Sequence, residues 1–289
     1  MSTAHTITAA LGGRWHGRYG MVRCVSHDDR SPSLMLSDGE SALLVRCFAG
    51  CDPIDILAEL RRRNQLDEAE QRTADAQRST LWDDRSEAIA RGVQIFGEAH
   101  GPLHVVQAYL RSRGLGRLPP DCVDIRFHTQ CPRGRDRLPA MVALMRDAIT
   151  NEPTGVHRTY LRPDGSGKAD VQPAKMMLGR SAGAVVKLTP DEDVTLGLGL
   201  SEGIEDGLAI INSGWRPIWA CMSTGSMRTF PVLGGIEALT LFRDADAPGR
   251  DAAEAAAARW RDAGRAAAIV APAGVKDFAA MAEAVSHAA

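Results

Sequence analysis

The chain has 289 residues, of which 44% are hydrophobic and 24% charged, and its formal net charge is -2. This length allows about two domains, and the composition excludes a peptide-sized binding module and a largely disordered chain. No apolar run reaches the roughly 18 to 20 residues of a membrane-spanning helix, and Met1 to Gly13 lacks a secretory pattern, so we expect a cytoplasmic protein without a membrane partner.

The first motif in the chain is a set of four potential zinc ligands. Their spacing is Cys-x₂-His, a gap of 19 residues, and Cys-x₃-Cys, formed by Cys24, His27, Cys47 and Cys51. Two short ligand pairs separated by a hairpin suit a closed, structural Zn²⁺ site. Strand-like alternation at Ser33 to Ser37 and Ala42 to Cys47 predicts that hairpin. Two disulfides would leave His27 unused, and unrelated structural cysteines are the other alternative.

The segments Arg23 to Ser33 and Cys47 to Cys51 resemble the N-terminal zinc ribbon of bacterial, plasmid and phage primases. The resemblance implies contact with a single-stranded DNA template, and we place this domain at residues 1–60. Candidates for base stacking and phosphate contact are Arg14, Trp15, Arg18, Arg23 and Arg46. Trp15 could belong to the core instead.

Residues 61–113 are predicted to form a helical connector. Apolar residues recur at helical spacing from Pro53 onward, and the polar stretch from Asn64 to Arg85 suits a helical or a flexible connection. Residues 114–189 combine strand-like runs with turns and predict a basic α+β subdomain. This subdomain is similar to the N-terminal half of the primase catalytic core. The similarity implies phosphate contacts by Arg158, Lys168, Lys175 and Arg180. The run Gly165 to Lys168 is not a P-loop, since Arg162 and Ala169 break that pattern.

Strands and helices alternate four times in residues 190–289. The predicted strands are apolar throughout, which is typical of parallel strands covered by helices on both faces, so we expect an α/β, Rossmann-like domain. The predicted strands are Val194 to Leu200, Pro217 to Met222, Ile236 to Phe242 and Ala266 to Ala271. The predicted helices are Ile204 to Asn212, a short helix between Gly225 and Leu233, Arg250 to Ala263 and Phe278 to Ser286.

Acidic residues follow three of these strands, at the edge where parallel sheets bind ligands. They are Glu202 after the first, Asp244 and Asp246 after the third, and Asp277 after the fourth. Asp244 and Asp246 point the same way in an extended segment, and such a pair either shares a proton or binds a metal. Hard oxygen ligands suit Mg²⁺ or Mn²⁺. Each acid alone could equally be a turn residue or a helix cap, Asp246 above all.

The sequence Ser201 to Asp206, with Asp244 to Gly249 and Lys276-Asp277, resembles the Toprim domain of bacterial-type primases, topoisomerases and some nucleases. The resemblance covers about residues 190 to 285. It implies that the catalytic acids are Glu202, Asp206, Asp244, Asp246 and Asp277, that all of these except Asp206 bind divalent metal, and that Lys276 contacts nucleotide. The primase pattern often has a further acid where this chain has Phe278, Ala279 and Ala280.

A zinc ribbon followed by a Toprim domain indicates a DNA primase that makes short RNA primers on single-stranded DNA from nucleoside triphosphates. The resemblance also implies a plasmid, phage or integrated element, and the lack of a Walker motif implies a separate replicative helicase as partner. Two alternatives stay open: a metal-dependent Toprim nuclease, and a non-catalytic DNA-binding replication accessory protein. A topoisomerase is disfavoured, because Tyr19, Tyr109 and Tyr160 lie in no recognisable strand-passage domain.

Overall fold

The computed structural model describes residues 3–26, 29, 32–39, 43–47, 51, 53–65 and 85–288. The chain divides into two units, Met1–Ser86 and Glu87–Ala289. The predicted zinc ligand His27 and residues 66–84 of the predicted connector lie outside the described residues. None of the helices described is both long and apolar enough to span a bilayer.

The N-terminal unit contains a small antiparallel sheet. Its elements are α1 (Thr3–Ala10), β1 (Arg14–Trp15), β2 (Gly20–Val22), β3 (Leu34–Asp38), β4 (Leu43–Cys47) and α2 (Pro53–Arg62). The strands pair in the order β1-β2-β3-β4. Leu34 and Leu36 alternate with more exposed residues along β3 and form a core with Ile7 of α1 and Leu57 of α2. The period-two pattern that predicted a hairpin in this segment therefore reflects one buried sheet face.

The C-terminal unit is larger and begins with an antiparallel part. Its first elements are α3 (described over residues 85–98), α4 (His104–Ser112), β5 (Ile125–Arg133), β6 (Asp136–Asp147), β7 (Pro153–Tyr160), β8 (Lys175–Gly179) and β9 (Ala184–Lys187). The α/β part follows with β10 (Gly197–Ser201), α5 (Ile204–Asn212), β11 (Ile218–Ala220), α6 (Thr224–Arg228), β12 (Ala238–Phe242), α7 (Ala247–Asp262), β13 (Ala266–Val270) and α8 (Phe278–Ala288).

The two parts of the C-terminal unit share one mixed sheet. In the described residues its order is β13-β12-β10-β11-β9-β6-β7-β8, with β5 paired to β6. The strands β11, β10, β12 and β13 are parallel, whereas β9 joins β11 to the antiparallel part. The pairing of Trp219 with Lys187 and of Ala220 with Val186 makes this junction. Because the sheet is continuous, the position of the antiparallel part relative to the α/β part is fixed.

Helices cover both faces of the α/β sheet, as predicted. Successive residues of β11 belong to different cores: Ile218 packs with α5 and α8, and Trp219 packs with α6 and α7. Each of the predicted strands and helices of residues 190–289 is present, with bounds shifted by a few residues. The strand β13 differs from the prediction of full burial, because it is a sheet edge and its residues are alternately exposed.

Candidate active site and zinc site

Three of the four acids predicted to bind metal, Glu202, Asp244 and Asp246, follow two neighbouring parallel strands. The strands β10 and β12 pair with Ser201 opposite Phe242, the last residue of each strand. Glu202 comes directly after the first strand and Asp244 two residues after the second. Both carboxylates are therefore at the carboxyl edge of the sheet, where open parallel sheets bind ligands.

The carboxylates at this edge repel one another. Burial, together with the negative charges of Asp244 and Asp246, raises the pKa of Glu202 to about 7. Burial, together with the charges of Asp206 and Asp277, raises the pKa of Asp244 to about 6. A cation bound among these groups would remove the repulsion and favour the ionised carboxylates.

Two buried oxygen atoms in this group, Glu202 Oε2 and Asp244 Oδ1, have no hydrogen-bond partner among the described residues. The lack of a side chain at Gly249 leaves room beside them. A Cβ atom there would lie 2.9 Å from Asp246 Oδ1 and 3.2 Å from Glu202 Oε2. Unpartnered carboxylate oxygens next to such a gap are hard ligands, so the residues present fit Mg²⁺ or Mn²⁺.

The spacing of these acids indicates an open site. Within the described ranges, no three carboxylates bring ligand oxygens within 4.8 Å of one another, although three cysteines of the N-terminal unit do so. Mg²⁺ usually keeps several waters and binds one or two carboxylates. The site therefore suits a cation held partly through water and partly through a bound phosphate.

The other predicted acids hold helices in place around this edge. Asp246 caps α7, since its Oδ1 accepts a hydrogen bond from the Gly249 N–H at 2.8 Å. This is the structural alternative that the sequence left open for Asp246. Asp206 Oδ1 accepts from the Ala279 N–H at 3.0 Å, and Asp277 Oδ1 accepts from a backbone N–H of α8 at 2.6 Å. The carboxylates thus fix the starts of two helices as well as lining the site.

A cavity of about 310 Å³ brings acidic and basic side chains together. The acids that line it are Glu202, Asp206, Glu205, Asp244 and Asp277, and the bases are Arg113, Lys168, Lys175 and Lys276. The acids come from the α/β part, whereas three of the bases come from the preceding part of the unit. Charges of both signs in one cavity suit a polyphosphate that is itself bound to a divalent cation.

Two predicted phosphate contacts do not line this cavity, Arg158 and Arg180. Arg158 is only 6% exposed and donates a hydrogen bond to the Pro132 carbonyl oxygen at 2.9 Å. Arg180 donates to Asp147 Oδ2 at 2.7 Å. The similarity to the primase core implied a phosphate contact by Arg158, but nearly every residue of β7 is buried. In this structure both guanidinium groups stabilise protein packing.

Three further residues belong to this region although no sequence motif pointed to them as site residues: Tyr109, Arg113 and Glu205. Glu205 is 7% exposed and accepts a hydrogen bond from the Tyr109 hydroxyl at 2.5 Å. Glu205 is adjacent to Asp206 in the first turn of α5. This adjacency is a sequence signal for a second acid near the site, but the resemblance to the Toprim domain assigns a role to Asp206 only. Tyr109 and Arg113 were within the predicted connector, and only the packing of α4 into the C-terminal unit reveals their place.

Three of the four predicted zinc ligands converge in the N-terminal unit. The Sγ atoms of Cys24, Cys47 and Cys51 lie within 4.8 Å of one another. Hydrogen bonds from the Cys24 and Cys51 thiols lower the pKa of Cys47, which favours the thiolate that Zn²⁺ binds. The N–H of Cys24 donates to Asp29 Oδ2 at 2.7 Å and so orders the first knuckle. These donors fit Zn²⁺, and His27 stays the predicted fourth ligand.

The predicted stacking candidate Trp15 takes the alternative that the sequence left open, and a different pair of rings is exposed. Trp15 packs against the core, and its ring meets the His5 ring edge-on at 5.0 Å. In the turn between β1 and β2, the exposed rings of His16 and Tyr19 stack at 5.2 Å with an angle of 17° between their planes. The exposed Arg18 lies in the same turn. This turn therefore combines stacked rings with positive charge.

The carboxylate repulsion predicts that Asp244→Asn stabilises the metal-free protein at pH 8. Because the folded pKa of Asp244 is raised, its contribution to stability is complete below pH 4 and is lost as the pH rises through about 6. Asparagine removes this loss, and we expect the free energy of unfolding to rise by about 1 kcal/mol after allowance for solvent screening.

The measurement is urea unfolding in EDTA at pH 8 and pH 4, with Asp251→Asn on the exposed side of α7 as control. At pH 4 the Asp244 variant should match the parent chain. Added Mg²⁺ should stabilise the parent more than the variant. The difference in free energy of unfolding between variant and parent should be larger at pH 8 than at pH 4. A smaller difference at pH 8 would refute the proposed repulsion.

Comparison with known families identifies the C-terminal domain. Residues 85–188 match the model of a domain of unknown function (DUF7146), and residues 197–287 match the Toprim domain. No curated protein sequence matches the chain.

Three of the solved structures to which the chain is similar are primase domains. The zinc-binding and RNA polymerase domains of the Aquifex aeolicus primase are 14% identical, with 99% of this chain and 80% of that chain covered and a TM-score of 0.46. A DnaG primase catalytic domain bound to single-stranded DNA is 17% identical, with coverages of 72% and 77% and a TM-score of 0.43. The RNA polymerase domain of Mycobacterium tuberculosis DnaG with double-stranded DNA is 16% identical, with coverages of 73% and 80% and a TM-score of 0.42.

The residues that match the Toprim domain include the carboxylates that line the cavity. The carboxylates after β10 and β12 lie inside the matched range, on a parallel sheet with helices on both faces. Residues 197–287, which carry the carboxylate cluster, form a Toprim domain.

Proposed function

We propose that the chain is a DNA primase, a nucleotidyltransferase that uses Mg²⁺ or Mn²⁺ to make short RNA primers on single-stranded DNA. The observation that carries the proposal is the cavity shared by Toprim carboxylates and by lysines of the preceding part of the unit. Phosphoryl transfer requires mainly positioning and charge stabilisation. The cavity contains acids that can bind a cation and lysines that can bind phosphate, so it offers groups for both positioning and charge stabilisation.

The acids and bases of the cavity have separate roles in this proposal. Glu202 and Asp244 hold the divalent cation, with Asp246 and Asp277 beside them. The bound cation supplies charge neutralisation and activation of the attacking 3′ hydroxyl. Lys168 and Lys175 donate hydrogen bonds to the triphosphate, whose charge they balance. Lys276, with a side chain that is 78% exposed, contacts the nucleic acid at the cavity entrance.

The N-terminal unit is proposed to contact the template. Three clustered cysteines fit a structural zinc site, which orders the small sheet that presents His16 and Tyr19. We further propose that the protein acts in the cytoplasm for a plasmid, phage or integrated element. We propose a separate replicative helicase as the partner that unwinds the duplex.

Tyr19→Ala is expected to weaken binding of single-stranded DNA. Loss of one stacked base is worth about 1 to 3 kcal/mol, which corresponds to a rise of roughly 5- to 150-fold in Kd. Fluorescence anisotropy with a labelled oligonucleotide measures the change. Leu44→Ala, at an exposed apolar position of β4, is the matched control and should leave Kd unchanged. Equal binding by the Tyr19 variant and the parent would remove this turn from the template contact.

The proposed activity is tested with single-stranded DNA, four ribonucleotides of which one is labelled, and Mg²⁺ or Mn²⁺. A primase forms short labelled products only when template is present. A nuclease shortens the template without forming labelled product. A chain that binds the template but does neither is the non-catalytic accessory protein.

A further inference from the structure

Glu205 gathers one hydrogen-bond donor and two ammonium groups at one carboxylate oxygen. Its Oε1 accepts from the Tyr109 hydroxyl at 2.5 Å, and it lies 3.0 Å from Lys175 Nζ and 3.5 Å from Lys168 Nζ. These groups come from α4, from the start of β8 and from the loop between β7 and β8. One side chain in the first turn of α5 therefore links three other segments around the cavity.

The charge of Glu205 is held by these groups in spite of its burial. Burial alone would raise the pKa of Glu205, but Lys175, Lys168 and the Tyr109 hydroxyl outweigh it and lower the pKa to about 2. Burial and the neighbouring Lys175 cation lower the pKa of Lys168, against the attraction of Glu205. The cluster is thus a buried anion that counterbalances two cations which repel each other.

The two lysines have no other acidic partner in the part of the chain that the structure describes. An ammonium group has three donors, and the ion pair with Glu205 engages at most one of them on each lysine. Both side chains are partly exposed, at 32% for Lys168 and 42% for Lys175, and both line the cavity. Their other donors are therefore available to an anion that enters it.

We propose that Glu205 is a positioning residue that fixes Lys168 and Lys175 for the polyphosphate of a nucleoside triphosphate, and that Tyr109 holds Glu205 in place. This inference rests on the proposed function for its ligand. Glu205 itself does not touch the nucleotide. Without it, two like charges lose their shared counter-ion, turn toward solvent and no longer point at the same place in the cavity.

The test compares the parent chain with Glu205→Gln, Glu205→Asp and Tyr109→Phe. The first readout is the Kd of ATP in Ca²⁺, and the second is the KM and kcat of primer synthesis. Glu205→Gln is expected to raise Kd and KM about tenfold, because the charged hydrogen bonds to both lysines are weakened. The kcat at saturating nucleotide should change less than about threefold. Glu205→Asp and Tyr109→Phe should fall between the parent and Glu205→Gln.

Arg135→Gln, in the exposed turn between β5 and β6, removes one positive charge from a residue that does not line the cavity and is the control. Its Kd and KM should equal those of the parent. Should Glu205→Gln fail to fold, as judged by circular dichroism, Tyr109→Phe decides, because it keeps the ring that fills the core and removes only the hydroxyl.

The outcomes separate this inference from the proposed function. Primer synthesis with unchanged Kd and KM in the Glu205→Gln and Tyr109→Phe variants overturns the role of Glu205 and leaves the primase in place. Weakened ATP binding in Glu205→Gln, without primer synthesis by the parent, supports the polyphosphate site and overturns the primase. A lower melting temperature with unchanged Kd and KM would show that Glu205 serves stability only.

Discussion

Asp244→Asn is expected to lower the rate of primer synthesis by about 1000-fold or more. The substitution keeps the size of the side chain but removes a negative charge that holds the divalent cation, and phosphoryl transfer depends on that electrostatic stabilisation. Asp244 Oδ1 has no hydrogen-bond partner in the part of the chain that the structure describes, so the substitution removes no hydrogen bond at this atom. The rate is measured as incorporation of a labelled ribonucleotide at saturating template and Mg²⁺.

Asp251→Asn is the matched control for this substitution. Asp251 is an exposed carboxylate of α7 outside the cavity, and its loss should leave the rate unchanged. The melting temperature of the Asp244 variant should also equal or exceed that of the parent chain. Primer synthesis by Asp244→Asn at the parent's rate would show that the carboxylate edge of the sheet is not the catalytic site.

Cys47→Ser is expected to remove bound zinc and unfold the N-terminal unit. A sheet of four short strands has too small a core to fold reliably alone, and a structural Zn²⁺ supplies folding free energy outright. Cys47 is also the last residue of β4, so its loss disconnects the metal site from the sheet. Zinc content by atomic absorption should fall from about one per chain to near zero.

The C-terminal unit should be unaffected by this change. Binding of ATP to the Cys47 variant should equal that of the parent, whereas its affinity for single-stranded DNA should fall. Cys131→Ala, at a free buried cysteine of β5, is the control and should keep the zinc. Full zinc content in Cys47→Ser would contradict the assignment of this cysteine as a ligand.

The α/β part of the fold could be predicted from the sequence because its signals are local. Apolar strands such as Ala238–Phe242 are followed by helices of clear spacing, and the order of elements then fixes a parallel sheet. The carboxylates after Ser201 and Phe242 follow from the same reasoning, because parallel strands end at one edge. The short spacing between Cys47 and Cys51 was likewise enough to predict that the two side chains lie close together.

Other features depend on contacts between distant segments. The hydrogen bond between Tyr109 and Glu205 joins residues that are 96 positions apart, and no spacing rule connects them. The burial of Arg158 depends on the pairing of β7 with two neighbours in a sheet that continues through β9. A basic residue in a basic stretch suggests a phosphate contact, but only the sheet shows that its guanidinium is enclosed.

Trp15 illustrates a related difficulty. An aromatic residue beside arginines suits both a core and a stacking surface, and the sequence left both open. In the structure its ring belongs to the core of the N-terminal unit, whereas the rings of the next turn are exposed. Which face of a two-residue strand is buried is set by α1, and not by the strand's own pattern.

Template-directed synthesis tests the central claim most directly. The full chain is incubated with a single-stranded DNA of mixed sequence, or with its complement, together with ribonucleotides and Mg²⁺, and the products are sequenced. We predict short RNA products complementary to whichever strand is supplied, and none in EDTA. Products that ignore the template sequence, or shortened template without any new RNA, would contradict the proposal that this Toprim domain synthesises primers.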